Sequence, residues 1–349
     1  MKTYEYIFAA IILIAMLLAA TFLTSISPSL YRSVSEAEQL KMAAQKVVTQ
    51  LLLSPGEPEN WGENIDVKSS DISSIGLAIS TIFTQEAFSL DPDKVQRLNR
   101  DLPADLYIPP DKFLELLGLG SSGYSYYGAR IDFIPALRVA ISFDGNEVRV
   151  KVTSEQGIPV VGANVTIGVL YVRDGRIALD EELGITNLDG ECTINLSSQI
   201  NPSFLVAIVN YYGLHMLGFK NISSHGGYLI GKYLLVKSSL EVNDASALQI
   251  IAIPSNEGLR LRNVTYCISS SVGVADYKAY DMGYVEPNIV AVVALTKNGE
   301  LIAAYKVIPE SYSTIAGEVY TPLAYILERS VRIGFSTYTI RLKIWRMTW

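Results

Sequence analysis

Residue types that supply metal ligands and catalytic bases are scarce in this chain. Its 349 residues include two histidines, His215 and His225, and two cysteines, Cys192 and Cys267. Structural zinc sites take four such ligands at short, characteristic spacings, and these four residues fit none of those patterns. The sequence therefore predicts no metal centre built from histidine and cysteine.

One histidine lies in a sequence that also occurs in enzymes. His225-Gly226-Gly227 is found in the oxyanion loop of some esterases, which carry their nucleophile in a Gly-x-Ser-x-Gly motif. The chain contains no such motif, and no nucleophile can be paired with a base. We therefore interpret His225–Gly227 as a loop, expect no catalytic residue, and predict that the protein is not an enzyme.

A glycine-rich stretch has the spacing of a dinucleotide-binding loop. Gly118, Gly120 and Gly123 match the pattern Gly-x-Gly-x-x-Gly, but such a loop must follow a strand and open a helix. Here a predicted helix precedes it and a tyrosine-rich segment follows. The pattern indicates a turn, and we predict no cofactor.

Acidic residues suggest a second type of metal site. The carboxylates concerned are Asp180, Glu181, Glu182, Asp189 and Glu191. Together they could bind calcium, but a solvated acidic edge is the simpler interpretation, so no metal site is predicted. The net charge of −7, without basic residues clustered among aromatic ones, argues against a nucleic-acid partner. The sequence does not indicate a small-molecule ligand.

Two kinds of covalent modification are suggested by the sequence. Four Asn-x-Ser/Thr sites are candidates for glycosylation: Asn164, Asn195, Asn221 and Asn263. In an exported protein, Cys192 and Cys267 are candidates for a disulfide. Two buried, unpaired thiols are the alternative that the sequence leaves open.

The N-terminal segment is the most apolar part of the chain. Ile7–Leu23 has no charge and one polar side chain, Thr21, and its 17 residues are at the lower limit for a transmembrane helix. Lys2 makes the front end basic, which predicts a cytoplasmic N-terminus and an extracellular bulk on a single-pass anchor in the cell membrane. A cleaved signal peptide ending near Ala20 is the alternative.

The same helical pattern continues beyond this run. Apolar residues recur every three or four positions from Leu30 to Leu51, which predicts an amphipathic stalk. Ser54-Pro55-Gly56 should end the helix, because proline lacks an amide hydrogen and glycine permits the turn. We expect Trp61 to pack where the chain turns away.

Short elements are expected in the rest of the chain. Helices are predicted at Ser89–Asn99, capped by Asp91, at Asp111–Leu117, and at Thr321–Arg329. Hairpins are predicted at the turns Asp144-Gly145-Asn146, Asp174-Gly175 and Lys297-Asn298-Gly299. Short strands from Leu137 onward, spaced by tight turns, indicate a β-sandwich.

Two resemblances accompany these patterns. The apolar helix with Glu5 near its start, followed by "SPGEPENWG", is similar to archaeal type IV pilin-like, membrane-anchored surface proteins. "GIPVVGANVTI" (157–167) and "TNLDGECTINL" (186–196) resemble immunoglobulin-like modules. In pilin filaments a carboxylate placed like Glu5 pairs with the amino terminus of a neighbouring subunit. The glycine of the prepilin cleavage motif is missing from residues 1–6, so Glu5 could instead lie among lipid headgroups.

The predicted fold class is α+β. We expect a transmembrane anchor and stalk helix at 1–53, an α/β head formed by 54–136 and 254–349, and an immunoglobulin-like sandwich at 137–253, inserted in the head or in series with it. The predicted function is that of a non-enzymatic, pilin-like surface protein in adhesion, envelope scaffolding or filament assembly. Its partners would be membrane lipid and other proteins or copies of itself. The alternative is the extracytoplasmic binding subunit of an envelope transport or secretion complex.

Overall fold

Strands are the main secondary structure of the protein. The computed structural model describes residues 2–80, 88–121, 124–125, 127–197, 200–243, 248–252, 259–269, 274, 276–285, 289–314 and 324–347, and for residues 2, 3, 5, 23–35, 121, 124, 125, 252 and 269 it describes the backbone alone. The helices are α1 (Lys2–Leu53), α2 (Pro92–Gln96) and α3 (Pro110–Leu116), with one 3-10 turn at Ser69–Asp71. The strands are β1 (Gly56–Glu57), β2 (Ser74–Ile75), β3 (Ser89–Leu90), β4 (Gly120–Ser121), β5 (Tyr124–Ser125), β6 (Tyr127–Pro135), β7 (Leu137–Asp144), β8 (Glu147–Ser154), β9 (Asn164–Arg173), β10 (Arg176–Ile185), β11 (Glu191–Asn195), β12 (Phe204–Tyr211), β13 (Leu214–Asn221), β14 (His225–Ile230), β15 (Tyr233–Lys237), β16 (Leu248–Ala252), β17 (Arg260–Val264), β18 (Cys267–Ser269), β19 (Tyr277–Asp281), β20 (Ile289–Leu295), β21 (Leu301–Tyr305), β22 (Ser311–Ser313), β23 (Ala324–Ile333) and β24 (Ser336–Arg346).

The predicted α+β class is wrong, because the fold is mainly β. Strands contain 49% of the residues and helices 18%. Beyond α1, the α-helices of the described residues, α2 and α3, have five and seven residues. The segments read from the sequence as mixed structure are mostly strands, because pairing with partners far along the chain decides their conformation.

The predicted transmembrane anchor is contradicted. Within the described residues, no helix combines the length and the hydropathy that crossing a membrane requires. The uncharged run at 7–23 has 17 residues and so rises about 25 Å, whereas the hydrocarbon core of a bilayer is about 30 Å thick. The same finding contradicts the predicted single-pass location in the cell membrane.

The second half of α1 packs against the rest of the molecule. Leu40, Ala44, Val47 and Leu51 are buried at the helical spacing predicted from the sequence. They belong to one apolar cluster with residues of β6 and β24. The helix ends at Leu53, as Ser54-Pro55-Gly56 predicts, and the fully buried Trp61 donates its indole N–H to Pro55 O at 3.1 Å.

The sheet beneath α1 is formed by strands from distant parts of the chain. Its order is β22-β6-β24-β23-β3, so strands near residue 130 pair with strands near residue 340. The helix predicted at Thr321–Arg329 is wrong. The structure describes residues 324–329 of this range, and they lie in β23. Leu327 and Val331 are four residues apart, a spacing that fits a helix turn as well as one face of a strand, and pairing with β24 along all of β23 selects the strand.

Residues 137–221 form two packed antiparallel sheets. Their orders are β10-β9-β12-β13 and β11-β8-β7. Val148, Val150 and Val152 face the space between the sheets and are fully buried, whereas Arg149 and Lys151 face water. This alternation confirms the pattern read from the sequence.

A third sheet covers the other face of the four-stranded one. Its order is β17-β16-β20-β21-β14-β15-β19-β18, so β14, β15 and β16 pair here although the sequence division placed them with the sandwich. Phe204, Val206 and Ile208 of β12 pack against residues of β20 and β21, while Leu205 and Ala207 pack in the sandwich. Strand β12 is apolar on both faces because it is buried on both faces.

The three predicted hairpins are confirmed. Gly145 and Asn146 join β7 to β8, and Lys297-Asn298-Gly299 lies in the turn that joins β20 to β21. At the third turn, Asp174 and Gly175 both have positive φ, at 51° and 71°. That conformation matches the right-handed twist of the flanking strands β9 and β10.

Candidate functional site

A groove of about 440 Å³ lies between the loop after α2, the end of β13 and the eight-stranded sheet. One wall is the loop after α2, a second is the end of β13, and the floor is the eight-stranded sheet. The lining residues are Asn99, Asp101, Asn221, His225, Gly226, Gly227, Tyr228, Lys237, Leu240, Tyr277, Tyr305 and Val307. Grooves at the junction of packed units are common ligand sites, so we treat this one as the candidate functional site.

Neighbouring strands bring three tyrosines into the groove. Strands β21, β14, β15 and β19 are consecutive in the sheet. Tyr228 of β14 lies directly beside Tyr305 of the parallel strand β21. Tyr277 of β19 lies directly beside Lys237 of β15. Residues up to 77 positions apart in the sequence are thereby placed along the floor of the groove.

The aromatic rings are held by their neighbours. The rings of Tyr228 and Tyr277 have centroids 5.8 Å apart at 55°. Tyr305 stacks on Phe219 with centroids 4.1 Å apart and planes 18° apart, and Phe204 supports this pair from the core. Such ring pairs add about 0.5–1.5 kcal/mol to simple burial. The groove therefore offers aromatic surfaces that are positioned before any ligand arrives.

One tyrosine hydroxyl also ties the groove to the loop after α2. Tyr228 donates to Asp101 O at 2.6 Å. Burial, followed by the neighbouring Tyr277, raises the pKa of Tyr228 to about 12. The phenol is therefore neutral at physiological pH and keeps its proton for this hydrogen bond.

Polar side chains surround the rings. Asn99 is 9% exposed, and its Oδ1 accepts from Asp101 N at 3.1 Å, which fixes the amide in place. Asn221 Oδ1 accepts from Ser224 Oγ at 3.0 Å. His225 Nε2 lies 2.7 Å from Glu300 Oε2. The groove combines amide, carboxylate, imidazole and, at Lys237, ammonium groups with flat apolar faces, an arrangement suited to binding a polar ligand.

The loop that carries Asn99 is held by a buried charged cluster around α2. Asp93, Lys94 and Arg97 are each at most 5% exposed. Asp93 pairs with Lys306 at 2.7 Å and accepts from Gly231 N at 3.0 Å. These contacts join α2 to the eight-stranded sheet and set the position of the groove wall that is formed by the loop after α2.

Asp91 caps α2 and is the acid most affected by this environment. Its carboxylate accepts from Asp93 N at 2.9 Å, as the sequence predicts for a cap. Burial and then repulsion from Asp93 raise the pKa of Asp91 to about 6, although Lys94 and Lys306 act in the opposite direction. Because this pKa lies above that of the unfolded chain, near 3.9, the free energy of unfolding should fall as the pH rises from about 4 to about 6.

We expect Asp91→Asn to remove this pH dependence. At neutral pH the variant should be more stable than the wild type by about 1–2 kcal/mol, since the amide need not ionise and still caps the helix. Urea denaturation at about pH 4.5 and about pH 7.5 measures both effects. Asp111→Asn, which changes an exposed acid in the first turn of α3, is the control. If the free energy of unfolding of Asp91→Asn depends on pH as strongly as that of the wild type, Asp91 is not the group responsible.

The sequence-derived cysteine pair is not formed. Both thiols are free, with Cys192 buried in β11 and Cys267 exposed in β18. The two strands belong to different sheets. Burial raises the pKa of Cys192, which disfavours the reactive thiolate there.

The four candidate glycosylation sites are all exposed. Asn164, Asn195, Asn221 and Asn263 lie at the start of β9, the ends of β11 and β13, and within β17. Surface exposure is what glycosylation requires, and the modification itself stays a prediction. Only Asn221 lines the groove.

The remaining predicted residues lie apart from the groove. Glu5 belongs to α1, but its side chain is outside what the structure describes. Of the acidic residues, Glu191 pairs with Lys151 at 3.1 Å and Asp180 accepts from Tyr171 at 3.1 Å. Across the described ranges, no three His, Cys, Asp or Glu side chains converge as metal ligands.

Sequence reasoning identified one part of the groove and missed the rest. His225–Gly227 was noticed, although it forms the start of β14 where a loop was expected. The tyrosines and Asn99 carry no local motif, and their proximity arises from strand order. Comparison of the chain with known protein families and with curated proteins finds no match.

Proposed function

We propose that this chain is a non-enzymatic structural protein that assembles with copies of itself through the first part of α1. The carrying observation is the apolar arm, defined as residues 7–22. Its large apolar side chains are all between 47% and 70% exposed. A helix that is apolar on every face is normally buried in its working state.

The arm surface is apolar around its whole circumference. Every side chain from Tyr6 to Phe22 is exposed, so no face of the arm packs against the rest of the described structure. The one polar group, the Thr21 hydroxyl, bonds within the helix to Leu17 O at 3.0 Å and Leu18 O at 2.9 Å. Burying each large apolar side chain stabilises by about 1.5–3 kcal/mol. Burying many of them favours a bundle of several helices.

A second copy of the chain is the partner that this surface fits best. The arm carries no charge, so it offers a charged partner no complementary group. Each copy brings the same surface, and the small side chains of Ala9, Ala15 and Ala19 let neighbouring helices approach closely. The resemblance to pilin-like proteins implies the same type of helix bundle. The absence of a predicted catalytic residue supports a structural role.

Sedimentation of the full-length chain without detergent tests this proposal. We expect the wild type to form species larger than the 38.3 kDa monomer, in a concentration-dependent way. Leu13→Glu combined with Leu17→Glu places two charges on one face of the arm and should shift the distribution to the monomer, because burying unpaired carboxylates is costly.

Met42→Glu provides the matched control for this variant. Met42 lies on the same helix outside the arm and is 66% exposed, so the control adds a charge without touching the proposed interface. It should sediment like the wild type. A wild type that stays monomeric at all concentrations, or a double variant that associates as the wild type does, would contradict the proposal.

A further inference from the structure

We propose that the groove binds a carbohydrate, with a pyranose ring stacked on its tyrosines and its hydroxyls bound by the surrounding polar side chains. The proposal concerns a different surface from the arm and does not rest on self-assembly. It follows from the aromatic surfaces, the polar groups around them and the mixed charge of the groove.

The aromatic surfaces match the apolar side of a sugar ring. One face of many pyranoses carries C–H groups, and an aromatic ring has a negative face that attracts them. Tyr228 and Tyr277 line the groove as a tilted pair, and the ring of Tyr305 is held by stacking on Phe219. Rings held in this way lose little conformational freedom on binding, which favours affinity.

The polar groups match the hydroxyls at the edge of the ring. A hydroxyl both donates and accepts, so neighbouring hydroxyls are best met by side chains with paired polar atoms. Asn99 and Asn221 each carry an amide donor and acceptor, and Asp101 carries two acceptors. All three line the groove. Asn99 is held by its own hydrogen bond to the Asp101 backbone, so its direction is set before binding.

The charges disfavour other ligands with flat rings. Among the lining residues, Lys237 is positively charged but Asp101 is negatively charged, and the negative charge opposes nucleotides and other polyanions. A neutral sugar meets no such repulsion. The volume of about 440 Å³ lies within the usual range of about 300–1,000 Å³ for small-molecule sites and suits a short oligosaccharide.

Calorimetric titration of the full-length protein tests the proposal. The protein is produced in a bacterium without N-glycosylation, so that Asn221 is unmodified. The probes are cellobiose, maltose, mannobiose, chitobiose and lactose, each at up to about 10 mM, with adenosine monophosphate for comparison. We expect at least one disaccharide to bind with a Kd below about 1 mM, and the nucleotide to bind more weakly.

Variants at Tyr277 identify the ring contribution. Tyr277→Ala should weaken binding of the best disaccharide by about tenfold or more, whereas Tyr277→Phe, which keeps the ring, should stay within about threefold. Tyr284→Ala is the control, because Tyr284 is 73% exposed and does not line the groove. Circular dichroism checks that each variant is folded.

Amide chemical shifts of the wild type supply a readout that needs no variant. On titration with the best disaccharide, the largest changes should fall on Asn99, Tyr228 and Tyr277. Three results would overturn the proposal. They are no binding by any disaccharide, equal binding by Tyr277→Ala and the wild type, and shift changes confined to residues outside the groove.

Discussion

Arg97→Ala is expected to lower the free energy of unfolding by about 3–4 kcal/mol, because it removes three hydrogen bonds from a site that is shielded from solvent. The Arg97 side chain is fully buried. Its guanidinium donates to the carbonyl oxygens of Trp61, of Asn64 at 3.2 Å and of Val67 at 2.8 Å. Burial lowers its pKa to about 10, so the group is still charged at neutral pH. Replacing it would leave those carbonyls without their donor and open a cavity.

Urea denaturation measures this loss. Arg97→Lys keeps the charge but not the forked geometry, so it should lose a large part of the same stability. Arg100→Ala is the matched control, since Arg100 is three residues away and exposed. It should change stability by less than about 0.5 kcal/mol. An Arg97→Ala protein within about 1 kcal/mol of the wild type would show that the loop at 61–67 does not depend on this side chain.

Gly76→Ala is the second change with a large expected effect. The added methyl group would push the end of α1 away from the segment that follows β2. A methyl group at Gly76 would collide with Ser54 O and lie 2.8 Å from Gly56 N. Both obstacles are backbone atoms and cannot rotate away. The collision would also disturb the adjacent bonds from Leu77 N to Leu51 O at 2.8 Å and from Ala78 N to Ser54 O at 3.1 Å. We expect a loss of about 3–5 kcal/mol.

The control for this prediction adds the same methyl group to a strand glycine with open space. Around Gly226, a Cβ would meet nothing within 4 Å. Gly226→Ala should therefore leave stability within about 1 kcal/mol of the wild type. Thermal unfolding compares the two variants directly. Equal melting temperatures would contradict the close packing at the end of α1.

Local signals in the sequence predicted local structure. Asp174-Gly175 fits a tight turn by its own backbone preferences, and Ser54-Pro55-Gly56 disfavours continuation of a helix by its own chemistry. The alternation at Val148, Val150 and Val152 reports one buried face regardless of which sheet covers it. These features were therefore predictable from a few neighbouring residues.

Long-range pairing was not predictable in the same way. Strand β14 lies parallel to β21, with His225 beside Ile302, and no turn between them fixes that register. The spacing of Leu327 and Val331 suits both a helix and a strand, and β24 decides between them. The same limit applies to the groove, since strand order and packing, not sequence spacing, bring Asn99, Tyr228 and Tyr277 together.

The most direct test of the central claim is a cross-link between the arms of two molecules. Leu13→Cys is introduced with Cys192→Ser and Cys267→Ser, so that the new thiol is the only one in the chain. Met42→Cys in the same background is the control. If the arms pack together, mild oxidation should yield a covalent dimer at position 13 and little at position 42. Equal, low yields at both positions would contradict assembly through the apolar arm.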